Sequence, residues 1–390
     1  MDHSILTQVV QDFINQNISA NITQLALQKN PFPETNWTLI LQQIAAKQKA
    51  ITKLPSWFKT PNIYYPSKVS VEQTSSEKTA RYKSDLISGK NLIDLSGGFG
   101  VDDFYFAQRF LNVTHCEIDN DLSKIVQHNF EQMGVSNIEC LSGDSEVTLT
   151  NLNKSFDWLY IDPSRRNEAK GKVFMLKDCL PNVPEKLDFY YRFTSNLMIK
   201  TAPILDITAG LSELQNVKAI HIVALENEVK ELLWIIEKDW IGNPKITTIN
   251  LTKEKTETFS FEWNSVAVAE YSEPKTYLYE PNAAIMKSGG FDWISAQFKL
   301  KKLHPHSHLY TSDTLIEFPG RVFAIDQIVP YNKTEMKLLG NQKANITIRN
   351  FPDTVENIRK KWKINDGGNC YSFFTTDVNN HKIVLLCSKL

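Results

Sequence analysis

The stretch Asn91-Leu-Ile-Asp-Leu-Ser-Gly-Gly-Phe-Gly-Val-Asp-Asp103 runs from a short apolar segment through an acid into a glycine-rich turn. The pattern predicts a strand, a loop and the start of a helix. Gly97, Gly98 and Gly100 let the backbone turn tightly and approach a ligand, because a missing Cβ removes both the penalty at positive φ and the bulk. Loops of this kind cradle dinucleotides, nucleoside triphosphates and S-adenosylmethionine alike. A plain structural turn in another α/β domain is the competing reading.

Charge separates these ligands. A pyrophosphate would lie at the positive end of the following helix, where this chain carries Asp102 and Asp103. Asp103 also stands where a dinucleotide fingerprint has its third glycine, and no Gly-Lys-Ser/Thr follows. A ligand without phosphate is expected. S-adenosylmethionine qualifies, since its cationic sulfonium and ammonium suit a carboxylate such as Asp94 or Asp102.

Further acids end the strands downstream. Val113–Asp119 reads as a second strand, and Glu117 follows Asp94 by 23 residues (117 minus 94), close to the ~20-residue offset at which an acid meets ribose hydroxyls. Asp119 competes for that place, or caps the helix carrying Leu122 to Met133. Asn137–Asp144 is a third strand ending at Asp144, and Phe156–Ile161 a fourth that runs into Asp162-Pro-Ser-Arg-Arg166. Leu197–Pro203 and Ala219–Ala224 supply a fifth and sixth, and residues 245–269 a closing antiparallel pair.

Methyl transfer from a sulfonium is an in-line displacement that needs a positioned nucleophile, worth roughly 7–11 kcal/mol in proximity and orientation. Oxygen acceptors at Asp162 and Pro163 would orient an amine, whereas carbon or thiol targets call for a nucleophilic cysteine or another base. The guanidinium groups of Arg165 and Arg166 suit base stacking or phosphate; an exposed basic loop is the alternative.

Asp94-Leu-Ser-Gly-Gly-Phe-Gly100 resembles the first motif of class I S-adenosylmethionine-dependent methyltransferases, with Ser96 in place of that family's first glycine. The resemblance implies that Asp94, Ser96, Gly97, Gly98 and Gly100 hold the cofactor. It gives Glu117 the ribose and Asp144 the adenine amino group. Asp162-Pro163 resembles the target-holding pair of amino-group methyltransferases, although Ser164 and Arg165 replace their second proline and aromatic. Across residues 70–390 the chain resembles bacterial class I methyltransferases with a THUMP-like C-terminal domain, through Asp162–Arg166, Tyr277-Leu-Tyr-Glu-Pro-Asn282 and Phe318-Pro-Gly-Arg321. It is also similar to the trimethylguanosine synthase family, which methylates an exocyclic guanine amine. The implied fold is α/β: a Rossmann-like class I methyltransferase sheet with an N-terminal helical segment and a C-terminal α+β domain. THUMP domains bind RNA, so the resemblance also implies an RNA partner.

At 390 residues the chain exceeds the roughly 250 at which single cores stop growing. The expected domains are a helical segment over 1–65, a cofactor domain over 66–270, a small α+β (ferredoxin-like) domain over 271–330 and a THUMP-like domain over 331–390. Thr74 and Glu77 have capping-box spacing for a helix reaching about Leu86, and Gln73, Ser75 and Ser76 are candidates to line the methionine end of the pocket.

Residues 1–270 hold 27 Lys+Arg against 33 Asp+Glu, and residues 271–390 hold 16 against 11, so the basic part is the one suited to a polyanion. Val355, Ile358 and Trp362 share one helix face and leave Arg359, Lys360 and Lys361 exposed. With Arg165, Arg166 and Arg321 these are the candidate RNA contacts. No apolar run of ~18 residues and no leader pattern is present, which predicts a cytoplasmic chain without a membrane partner. Five scattered cysteines read as reduced thiols. No metal is expected, since Pro305 interrupts the His304-Pro-His-Ser-His308 run and no Cys, Asp or Glu completes it.

The reading is an S-adenosylmethionine-dependent methyltransferase acting on an exocyclic amine of an RNA base. The alternatives are a non-catalytic RNA-binding protein of the same fold and a protein or small-molecule methyltransferase.

Overall fold

The computed structural model describes residues 1–165 and 175–390. It divides into two compact units, residues 1–218 with 233–242, and residues 219–232 with 243–390.

The first unit opens with helices. The longest, α1 (Trp37–Lys53), starts where the Asn36 side chain accepts from the Leu39 amide, and stops before Pro55. Its face of Ile40, Ile44, Ala46 and Ala50 is buried with Trp57 and Tyr65. Helix α2 (Glu77–Leu86) is capped by Ser76, whose hydroxyl accepts from the Thr79 amide. Thr74 instead closes the preceding helix, because Glu77 is drawn away from a capping box: its carboxylate accepts from the Ser56 amide and hydroxyl and from Tyr105 Oη.

The strands then alternate with helices: β1 (Gly89–Asp94), α3 (Val101–Phe106), β2 (Phe110–Glu117), α4 (Asn120–Gln132), β3 (Ile138–Ser142), α5 (Ser145–Leu152), β4 (Trp158–Ile161) and, later, β5 (Asn196–Thr201). All pair in parallel, in the order β3-β2-β1-β4-β5. Leu159, Tyr160 and Ile161 are all buried, as a strand covered on both faces requires. The order reverses between β1 and β4, and a crevice opens at the carboxyl ends of strands beside such a switch point. Both chemically loaded loops, after Asp94 and after Ile161, leave the sheet there.

In the second unit, β6 (Val217–Leu225) and β7 (Glu228–Glu237) flank Glu226 and Asn227, both at positive φ (50° and 64°). Two left-handed residues between strands make a tight hairpin. The sequence reading missed β7 because Glu-Asn is not a strong hairpin signal. The first two residues of β6, Val217 and Lys218, and the Leu233–Glu237 end of β7 count with the first unit. Strand β8 (Lys245–Leu251) lies parallel to β6 and antiparallel to β9 (Thr256–Glu262), which is the closing pair expected for residues 245–269.

A second sheet contains β10 (Tyr277–Pro281), β11 (Tyr310–Ser312), β12 (Gly320–Pro330), β13 (Asn345–Arg349), β14 (Cys370–Thr376) and β15 (Lys382–Lys389), in the spatial order β11-β10-β12-β15-β14-β13. Helices α6 (Lys333–Leu338) and α7 (Val355–Trp362) belong to its distal half, where Val329, Met336, Ala344, Ile358, Phe374 and Val384 form a core. His304 meets Asn380 and Asn350, and His308 stacks on Phe291 with centroids 3.6 Å apart. Among the described residues no helix is long and apolar enough to cross a membrane.

Burial, and then the Lys245 cation, push His221 on β6 down to about 4. Its unfolded value is near 6.5, so between these values the unfolded chain binds the extra proton and stability falls as pH falls. The slope contributed is about 1.4 kcal/mol per pH unit at most. Urea melts of wild type and His221→Asn between pH 6.5 and 4.5 are expected to show a shallower pH slope in the variant; equal slopes would show that His221 titrates normally.

Candidate active site at the glycine loop

Ser96 joins the two loops at the switch point. Its hydroxyl accepts from the Asp162 amide at 2.7 Å and donates to Asp94 Oδ1 at 2.8 Å, and Asp94 Oδ1 also accepts the Ser96 amide at 2.7 Å. A glycine here would lose the side-chain link between the ends of β1 and β4. Asp94 lies behind the loop, 2% exposed. Burial, and then the neighbouring Asp103 carboxylate, raise its carboxyl well above the usual range, and burial with the Asp102 charge does the same to Asp103. Asp103 Oδ2 also lies 2.7 Å from His115 Nδ1, a fully buried ring that burial holds below its ordinary value.

The glycines have distinct reasons. A Cβ on Gly97 would lie 2.2 Å from His115 Cε1, and one on Gly100, at φ 72°, would lie 2.6 Å from Phe130 Cζ. Among the described residues Gly98, at φ 57°, has nothing closer to such a Cβ than the Ser96 carbonyl at 3.6 Å, so they leave this face of the cradle open.

Glu117 occupies the loop's edge. Its Oε2 accepts from the Gly98 amide at 2.9 Å and its Oε1 from the Asp119 amide at 2.8 Å. Asp119 itself caps α4 through Asp121 and Leu122. A carboxylate thus already sits on the loop amide. This revises the charge argument against phosphate: Asp103 faces inward beside Asp94 and His115, and Asp102 is neutralised. Asp102 Oδ1 lies 3.1 Å from Nζ of Lys83, a fully buried lysine, while its Oδ2 accepts from Tyr160 Oη and Ser75 Oγ at 2.9 Å each. Lys83 and its partners hold this carboxyl below its usual value against the opposing effect of burial. The carboxylate in direct contact with the glycine loop's amide is Glu117.

Asp144 is exposed and caps α5, its Oδ1 accepting from the Glu146 and Val147 amides at 3.0 Å each. Asp162 and Pro163 follow β4, and Asp162 Oδ2 is ion-paired with Lys200 of β5. Sequence reasoning missed Lys200, although a lysine inside the apolar run Leu197-Met-Ile-Lys-Thr-Ala was the available signal. It also missed Lys83, which nothing in its exposed-looking surroundings marks. Ser75 turns to Asp102 and Lys83, and Ser76 to its cap.

The candidate RNA contacts are dispersed. Arg321 and Arg349 share the buried carboxylate of Glu280, and Arg359 pairs with Asp366 and reaches the Ala344 and Ile364 carbonyls. Lys360 and Lys361 are exposed on α7. Arg165 is placed in a two-residue ladder, Ser164–Arg165 against Cys179–Leu180, and Arg166 lies outside the described residues. Among the described residues no group of His, Cys, Asp and Glu is arranged to hold a metal ion.

Residues 277–319 match the model of a ferredoxin-like domain and residues 320–389 that of a THUMP domain-like family. Over its whole length the chain is similar to a crystal structure described as a "putative methyltransferase" from Porphyromonas gingivalis W83. The identity is 29% and the TM-score 0.87, covering 100% of this chain and 98% of that one. Two distant likenesses are an rRNA methylase from Streptococcus thermophilus (14% identity, TM-score 0.30, 41% of this chain and 94% of that one) and M. capricolum TrmK with S-adenosyl-homocysteine (16%, 0.32, 42% and 68%). Scores this low carry no argument about function. No curated protein matches the chain. The fold is that of a class I methyltransferase carrying a ferredoxin-like and a THUMP-like domain toward its C-terminal end.

Removing one member of a buried ion pair leaves an uncompensated charge, at a cost of about 3–5 kcal/mol. Lys83→Met is expected to lose stability on that scale in urea unfolding, and adding Asp102→Asn to recover most of it. A single variant as stable as wild type would show that Asp102 is not held by Lys83.

Proposed function

We propose that the chain is an S-adenosylmethionine-dependent methyltransferase acting on an exocyclic amine of an RNA base. The observation that carries this is the Ser96 bridge, which fixes the Asp162-Pro163 loop beside the glycine loop at the switch point where α/β sheets bind ligands. The loop's open face at Gly98, its edge closed by a carboxylate and its lack of a free anion cradle fit a cationic ligand without phosphate.

In this reading Asp94 and Ser96 shape the loop, Gly97 and Gly100 bring it close to His115 and Phe130, and Gly98 leaves room above it. Glu117 receives the ribose hydroxyls on the lone pairs its two backbone donors leave, and Asp144 the adenine amino group. S-adenosylmethionine, when bound, supplies a methyl group on a cationic sulfur. Asp162 and the Pro163 carbonyl accept hydrogen bonds from the target amine and aim its lone pair; Lys200 fixes which Asp162 oxygen is left for this. RNA as the carrier of that amine is supported by the THUMP-like match and by the basic excess of residues 271–390.

Isothermal calorimetry tests the cofactor: wild type should bind S-adenosylmethionine, and Glu117→Ala should weaken binding by roughly 1.5–3 kcal/mol, as for hydrogen bonds to a charged group. Absence of binding to wild type removes the enzyme reading. For the substrate, Asp162→Ala is expected to abolish methyl transfer yet keep cofactor affinity within a few fold; equal loss of both would make Asp162 a cofactor or structural residue. Nucleoside mass spectrometry of total RNA from a deletion strain should show one methylated base missing.

A further inference from the structure

Of the basic residues singled out in the sequence, Arg321 and Arg359 are tied to carboxylates, while α6 and α7 bring Lys361 together with three further lysines. A groove of about 730 Å³ is lined by Tyr331, Lys333, Lys337, Lys361, Trp362 and Lys363, with Met336 at its buried floor and no acid in its lining. All four lysines are exposed, and among the described residues none of them makes an ion pair. Arg321, Arg349 and Arg359, by contrast, are each tied to a carboxylate.

The groove is also built around aromatic rings. Lys361 Nζ lies 5.5 Å from the Tyr331 ring and 5.0 Å from the Trp362 ring. Tyr331 Oη accepts from Trp362 Nε1 at 3.3 Å, and the two rings stand edge to face, 86° apart. This locks the half-buried indole at the wall. Gly340 closes the far end, where a Cβ would come within 3.0 Å of the Trp362 carbonyl. Lys361 also donates to Tyr331 Oη at 3.4 Å, and four lysines without a carboxylate partner among the described residues, set on a fixed aromatic wall, are what a single-stranded nucleic acid needs: charge along the phosphates and a surface on which a base stacks.

We infer that this groove binds a short single-stranded segment of RNA, with phosphates on Lys333, Lys337, Lys361 and Lys363 and a base against Trp362. The inference rests on the RNA reading above and assigns it a site. An acidic protein segment would satisfy the lysines alone and make no use of the indole.

The test is fluorescence anisotropy of the full-length protein with a labelled single-stranded RNA of roughly twelve nucleotides. A duplex RNA and polyglutamate serve as parallel probes. Four phosphate contacts predict a slope of about −3 in log affinity against log salt, or roughly fiftyfold between 50 and 200 mM salt. Changing all four lysines to Gln should remove that slope. Trp362→Leu should weaken single-strand binding by about 5- to 150-fold, with Trp362→Phe in between, and leave polyglutamate unaffected.

An unchanged slope in the quadruple variant overturns the proposal, as does absence of single-strand binding at low salt. Polyglutamate binding as tightly, with the same lysine dependence and no effect of Trp362→Leu on either probe, overturns it in favour of an acidic protein. Calorimetry with S-adenosylmethionine and the RNA nucleoside profile are read independently, so the groove can fail while the methyltransferase reading stands.

Discussion

A single serine hydroxyl organises the candidate site. Ser96 Oγ accepts from the Asp162 amide and donates a hydrogen bond to Asp94, so the ends of two parallel strands are held by a side chain rather than by the ladder. Strand pairing alone leaves such loops free to part once the ladder stops at Asp94 and Tyr160. The Leu95 amide, bonded to the Tyr160 carbonyl, extends the pairing by one residue, and Ser96 carries it across the turn. The spacing between the glycine cradle and the Asp-Pro loop is thereby set by two short hydrogen bonds.

Around that bridge charge is cancelled in layers. Asp94 and Asp103 face each other with raised affinity for protons, and Asp103 leans on His115. Asp102 is met by Lys83, and Asp162 by Lys200. Glu117, by contrast, is satisfied by amides rather than by a cation, which leaves a negative edge on the loop.

This layering explains what the sequence could and could not disclose. The β1 run, the glycines and the acids ending β2, β3 and β4 were legible because local periodicity and chain reversal need only neighbours. The direction in which Asp102 and Asp103 point was not, since it depends on Lys83 from α2 and His115 from β2, residues without any sequence-local tie to them. Strand β7 escaped because its turn uses Glu226 and Asn227 in a conformation more often given to glycine. In the basic part, total charge was readable from the sequence. Which cations are spent on carboxylates was not, because Glu280 reaches Arg321 and Arg349 only through the pairing of β10 with β12 and the packing of the sheet.

The contact between Gly97 and His115 has a consequence for how this chain can change over generations. A side chain at 97 would strike the imidazole, moving the imidazole would strip Asp103 of its partner, and an unpartnered Asp103 would unsettle Asp94 beneath the loop. No one of these four positions can drift by itself. They form one inherited unit, open to replacement only by a compensated set, and a lineage that lost the imidazole would be expected to have altered the acid and the glycine with it.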